Sequence, residues 1–200
     1  MKPSIQLKKA IPLFLVALKI HTVFTVLAFI TSVNAQQSSP NILIILADDL
    51  GYGDVSFNGC PDYATPNIDS IARNGALCKN GYVMYPLCSP SRAALMTGRY
   101  EQRFGFERQL LPAVGNPRLG LPNSEVTLAE LLRPAGYACG AIGKWHLGSA
   151  PNLVPTSRGF DEYFGFLGAD SPYYNADLYR NTRRITESRY LTEAFTRDAV

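Results

Sequence analysis

Six consecutive apolar residues, Ile42 to Ala47, end abruptly at Asp48-Asp49, and this stretch most narrows what the chain can become. A run without polar alternation is the mark of a strand covered on both faces, as in parallel sheets. The next elements along the chain fit that reading. Thr65-Pro66 has the form of an N-cap and first helical residue, Ile68, Ile71 and Ala72 give one apolar face, and Gly75 supplies the stop. Thr127 with Glu130 three residues later forms a capping box ahead of Leu128, Leu131 and Leu132, closed by Pro134 and Gly136. Tyr137 to Ile142 then reads as a second buried strand. The rhythm predicts an α/β fold, a mostly parallel sheet flanked by helices. There is no internal repeat and no low-complexity tract.

The front of the chain has a different character. Lys2, Lys8, Lys9 and Lys19 precede a largely apolar run from Val23 to Ile30, and Val33-Asn34-Ala35 has the small residues a signal peptidase accepts. Residues 1–35 are expected to be a signal peptide, removed on export to the cell exterior or periplasm. The apolar run is shorter than the ~20 residues of a spanning helix, so no stable membrane insertion is expected after cleavage. Residues 36–200 are enough for one domain with a core of its own. The leader holds four of the 19 Lys and Arg and none of the 16 Asp and Glu. The remainder therefore carries 15 against 16, a net charge of −1 rather than +3. A nucleic-acid partner, which needs clustered basic residues, is not expected. Arg183, Arg184 and Arg189 read as a solvated surface.

In open α/β sheets the ligand site lies beyond the carboxyl ends of the strands. Asp48 and Asp49 stand there after the first strand, and Gly143-Lys144-Trp145-His146 after the later one. Adjacent carboxylates repel by about 4 kcal/mol at ~4 Å and an effective dielectric of about 20, which a cation relieves. All-oxygen ligands suit Ca²⁺ or Mg²⁺. Lys144 and His146, two apart on an extended segment, point the same way. A third element opens at Cys88: Pro90 suits a first helical turn, Arg92 to Met96 propagate it and Gly98 ends it. A helix N-terminus with Arg92 nearby favours an anion, so Cys88 is either a structural cysteine or a nucleophile.

Cys88-Ser89-Pro90-Ser91-Arg92, followed by Thr97-Gly98-Arg99, resembles the signature of the type I sulfatases, in which the cysteine is oxidised to Cα-formylglycine. "PNILIILADDLGYGDVSFNG" resembles that family's opening strand and metal-binding turn, "TPNIDSIARNG" the helix after it and "GYACGAIGKWHLG" its second signature, while "RGFDEYFGFLG" also fits. The resemblance implies the alkaline-phosphatase-like fold and hydrolysis of sulfate esters through the hydrated aldehyde. One hydroxyl of that diol attacks sulfur and the other expels the sulfate. It implies Asp48, Asp49 and modified Cys88 as Ca²⁺ ligands, Arg92 as support for the diol and metal, Lys144 as a sulfate-binding group, and His146 as acceptor of the proton that triggers sulfate release. A formylglycine-generating enzyme is the implied maturation partner, and sulfated carbohydrates or aryl sulfates are the implied substrates. Glu101 to Leu121 and Gly168 to Tyr179 are the expected pocket loops.

One position departs from the family pattern: Cys139 stands where Ser or Thr is usual, with an effect expected on packing rather than chemistry. With Cys88 modified, Cys60, Cys78 and Cys139 leave at least one thiol unpaired within the chain or paired elsewhere. The family's later Asp-Asn metal pair, second His and second Lys find no match, and no histidine follows His146. The helix-like spacing of Leu191, Ala194, Phe195 and Asp198-Ala199 stops at Val200 without a cap. The chain is thus expected to be the N-terminal part of a longer enzyme, inactive or nearly so in isolation. A phosphatase or phosphonate monoester hydrolase on the same architecture and a non-catalytic secreted carbohydrate-binding protein are the alternatives.

Overall fold

The computed structural model describes residues 39–110 and 115–200. The signal peptide expected over residues 1–35 lies outside them. The chain divides into two units, Met1–Ala47 and Asp48–Val200. In the first, the described residues 39–47 have no regular secondary structure. Ile42 to Leu46 are all exposed, Leu43 at 82% and Ile45 at 76%, so the expected strand from Ile42 to Ala47 does not form. A strand exists only through hydrogen-bonded neighbours. The apolar pattern of this run reports what it could bury, not that a neighbour takes it.

The second unit contains helices α1 (Pro66–Asn74), α2 (Cys88–Thr97), α3 (Leu128–Leu132) and α4 (Leu191–Ala199), and strands β1 (Gly140–Lys144), β2 (Glu162–Phe166), β3 (Ala176–Arg180) and β4 (Arg183–Glu187). The strands form one sheet in the order β1-β2-β3-β4. β1 and β2 run parallel, from Gly140 opposite Glu162 to Lys144 opposite Phe166. β2–β3 and β3–β4 are antiparallel, so the described sheet is mixed where a mostly parallel one was expected. Connection length accounts for this. Residues 145–161 are long enough for a parallel crossover, which needs roughly a dozen residues. The links 167–175 and 181–182 are too short for one. In the latter, Asn181 takes φ 56°, a backbone suited to a tight hairpin.

β1 starts at Gly140 rather than Tyr137 and ends at Lys144 rather than Ile142, because pairing with β2 sets its limits. It is an outer strand of the described sheet, and Ile142 is 43% exposed instead of buried. At Gly165 an added Cβ would lie 1.9 Å from the Gly143 carbonyl oxygen, so this close approach of β2 to β1 admits only glycine.

Two apolar clusters cover opposite faces of β2. Tyr163 joins Ala93, Phe106, Leu121, Trp145, Leu147 and Leu167. Phe164, its neighbour in sequence, joins Ala176, Leu178, Leu191 and Ala194 on the α4 side. The period-two alternation of the strand divides them. Full burial of each Leu or Phe contributes roughly 1.5–3 kcal/mol. Phe195 closes the second cluster edge-on against Phe164, with ring centroids 5.8 Å apart.

The capping box at α3 forms as the sequence predicts. Thr127 Oγ1 accepts the Glu130 N–H at 3.1 Å and Glu130 Oε2 accepts the Thr127 N–H at 2.7 Å. The Thr127 hydroxyl also donates to the Arg158 carbonyl at 2.8 Å. Thr127→Ala in the full-length protein is therefore expected to lower stability by about 2 kcal/mol, from the lost cap and the lost buried hydroxyl bond. Urea unfolding checks this as a lower midpoint at unchanged slope. At α1, Thr65 occupies the N-cap position, but its hydroxyl donates to Asp69 Oδ1 at 2.9 Å rather than capping the backbone.

Candidate active site

The parallel pair β1–β2 delivers Lys144 to the carboxyl end of β1. There its Nζ stands 2.9 Å from Asp48 Oδ2. Arg92, on the second turn of α2, places Nη2 3.3 Å from the same oxygen. Its Nη1 donates to the Lys144 carbonyl at 2.6 Å. The Lys144 and Arg92 side chains are only 10% and 14% exposed. Three residues far apart in sequence thus meet as one carboxylate held by two cations. Burial works against the Asp48 charge, but the Lys144 hydrogen bond and charge, followed by those of Arg92, outweigh it and hold the carboxyl below its ordinary range.

Cys88 is the first residue of α2, half-buried and a free thiol. It precedes Arg92 by four residues, so both lie on one face of the helix. Pro90 sits buried in the first turn and Gly98 ends the helix at φ 64°, its N–H bonded to the Ala94 carbonyl at 2.8 Å. Ser89 fastens the start: its Oγ accepts the Leu110 N–H at 3.2 Å.

His146 departs from the expectation of an extended segment shared with Lys144. β1 ends at Lys144, and His146 takes φ 57° in the left-handed region. It is 2% exposed, and its Nε2 lies 3.1 Å from the Leu110 carbonyl. A carbonyl only accepts, so Nε2 carries the hydrogen and Nδ1 is left as the basic nitrogen. Nδ1 is buried with no hydrogen-bond partner among the described residues. Burial, reinforced by the Lys144 and Arg92 charges, brings His146 below its ordinary pKa despite the opposing Leu110 carbonyl and Asp48. The imidazole is therefore neutral at pH 7.

Asp49 is exposed at φ 59°, outside this hydrogen-bonded group. Asp48 and Asp49 offer oxygen-only donors, the kind a hard divalent cation takes. No three His, Cys, Asp or Glu among the described residues stand close enough to share an ion, so Asp48, Asp49 and Cys88 are not gathered around a common point. All four cysteines are free thiols. Cys139 lies just before β1 rather than inside a strand, its Sγ 4.0 Å from the Ala129 carbonyl of α3. Of the expected pocket loops, Glu101 and Leu121 are buried, whereas Tyr173 and Tyr174 are 65% and 60% exposed.

Sequence reasoning assigned no role to Arg158, whose buried guanidinium donates to Glu130, Leu121 and Glu125. The motif "RGFDEYFGFLG" contained it, and its spacing gave no sign of the acceptors.

Comparison with known protein families matches residues 40–200 to the family described as Sulfatase. The chain belongs to the sulfatase family. It is similar to the N-acetylgalactosamine-6-sulfatase of Mus musculus, with 49% identity over 184 residues, covering 80% of this chain and 35% of that protein. Arylsulfatase A of Bos taurus is 50% identical over 135 residues, covering 66% and 26%. Among solved structures, the crystal structure of Ps i-CgsB superposes with TM-score 0.76 at 40% identity, covering 81% of this chain and 40% of that one. BT4656, solved in complex with its substrate D-glucosamine-2-N,6-O-disulfate, gives TM-score 0.67 at 32% identity, covering 80% and 30%. The chain spans about a third or less of the length of these two curated sulfatases. The α/β fold is the alkaline-phosphatase-like fold of the sulfatases.

Proposed function

We propose that the full-length protein is a sulfuric ester hydrolase acting on sulfated carbohydrates, with Cys88 converted to Cα-formylglycine. The observation that carries this reading is the convergence of Lys144 and Arg92 on Asp48, beside the helix that opens with Cys88. Two nearly buried cations are suited to the oxygens of a sulfate ester, where charge grows as the ester bond breaks. Converted and hydrated, Cys88 would supply two hydroxyls on one carbon, and Ca²⁺ or Mg²⁺ held by Asp48, Asp49 and the modified Cys88 would offset further charge. Lys144 binds and orients the sulfate group. Arg92 holds the Lys144 main chain and Asp48 together, which fixes the spacing of the two cations. His146, neutral and unprotonated at Nδ1, accepts the proton released as sulfate departs.

The sulfated amino sugar bound by BT4656 and the name of the N-acetylgalactosamine-6-sulfatases favour a sulfated sugar as substrate. Export with cleavage after residue 35 and maturation by a formylglycine-generating enzyme belong to the same reading. No helix among the described residues is long and apolar enough to cross a membrane. The test is turnover by the full-length protein, co-expressed with a formylglycine-generating enzyme, of a sulfate ester and of the phosphate ester with the same leaving group. Preferential cleavage of the sulfate ester is expected. Preference for the phosphate ester would move the protein to the phosphatase branch, and turnover of neither would leave a binding protein.

A further inference from the structure

Arg158 is 2% exposed, and its guanidinium is engaged wholly with one segment. Nε donates to Glu130 Oε1 at 3.1 Å, Nη1 to the Leu121 carbonyl at 3.0 Å and Nη2 to the Glu125 carbonyl at 2.6 Å. The Arg158 carbonyl in turn accepts the Thr127 hydroxyl. Burying a cation costs more than burying an apolar side chain of similar size. A planar fork of fixed donors gives in return a fixed spacing between its acceptors.

One acceptor leads toward the catalytic group. Leu121 is bonded through both of its main-chain polar groups: its carbonyl takes Arg158 Nη1 at 3.0 Å, and its N–H donates to the Leu147 carbonyl at 2.8 Å. Leu147 directly follows His146, and Leu121 and Leu147 are both fully buried. The peptide run around His146 has two further ties, Trp145 N–H to the Phe166 carbonyl at 3.0 Å and His146 N–H to the Leu167 carbonyl at 3.2 Å. A non-glycine residue at φ 57° persists only where its surroundings over-determine it. The Leu121–Leu147 bond is the tie on the far side of His146, and Arg158 holds Leu121 in place to make it.

We propose that Arg158 is a positioning residue for His146, acting through the Leu121–Leu147 hydrogen bond. This rests on the proposed role of His146 as proton acceptor. A displaced imidazole slows the step that needs it and leaves sulfate binding by Lys144 as it was. Misplacement on the order of 1 Å costs about 10²-fold in rate.

The test uses the full-length enzyme with an aryl sulfate. Arg158→Met removes the fork, and Arg158→Lys keeps a charge without it. Gly120→Ala leaves Arg158 intact and acts on the last link, since its Cβ would stand 2.5 Å from the Leu147 carbonyl oxygen. Activity is expressed per folded molecule, with the folded fraction taken from thermal unfolding. Arg158→Met and Gly120→Ala are expected to lower kcat by roughly 10- to 10²-fold with KM nearly unchanged, and to displace the acid limb of the kcat–pH profile. Each is then combined with His146→Ala. If Arg158 acts through His146, neither change costs anything further in that background.

The same fold-loss with and without His146 would overturn the proposal and leave Arg158 a structural residue. Unchanged kcat per folded molecule would overturn it too. Should Arg158→Met fail to fold, Arg158→Lys and Gly120→Ala carry the same comparison. Wild-type enzyme that cleaves no sulfate ester would instead refute the functional reading on which the proposal rests.

Discussion

Full-length enzyme carrying Cys88→Ala is expected to lose sulfate-ester hydrolysis by about 10⁶-fold, as loss of a catalytic nucleophile does elsewhere. The protein should still fold, because Cys88 is a half-buried free thiol at the start of α2 and the buried residues of that helix are Ser89, Pro90, Ala93 and Ala94. Wild-type protein co-expressed with a formylglycine-generating enzyme should carry an aldehyde at position 88, seen by mass spectrometry of the peptide and by hydrazide labelling. Replacing Pro90 or Arg92 should sharply reduce that label. Recovery of Cys88 as a thiol from a fully active enzyme would show that another group attacks sulfur.

Lys144→Ala should have the next largest effect. Removing a donor aimed at developing charge costs roughly 10²–10³ in kcat. Lys144 has a second task, since it shares the Asp48 carboxylate with Arg92. Without it Asp48 keeps Arg92 alone, so both the charge facing the sulfate and the order of the cation pair decline. A drop in kcat/KM for sulfate esters, with far-UV circular dichroism unchanged, is the expected outcome. Activity within a few-fold of wild type would remove Lys144 from the sulfate site.

The parts legible in the sequence were those set by near neighbours. The capping box Thr127/Glu130, the helix opened at Cys88 and ended by Gly98, and the α1 stop at Gly75 all rest on residues within a few positions of each other. Ile42 to Ala47 shows the opposite case, because whether an apolar run becomes a strand depends on a partner strand far away in sequence. Asp48 is intermediate. Its candidacy was readable from the run that it ends, but not its partners, which lie 44 and 96 positions onward. Arg158 escaped notice because its acceptors Leu121, Glu125 and Glu130 lie 28 to 37 positions earlier, and two of them are main-chain carbonyls that no side-chain pattern reveals.

The back-to-back placement of Tyr163 and Phe164 bears on cooperativity. Consecutive residues of one strand are the walls of two separate apolar clusters. Loss of β2 strips one face from each cluster, so neither survives it. The α2 side, with the proposed catalytic groups, and the β3–β4–α4 side are thereby coupled through a single strand of five residues. A local opening of the hairpin that leaves β2 in place can spare the site. One that frays β2 dismantles both clusters together.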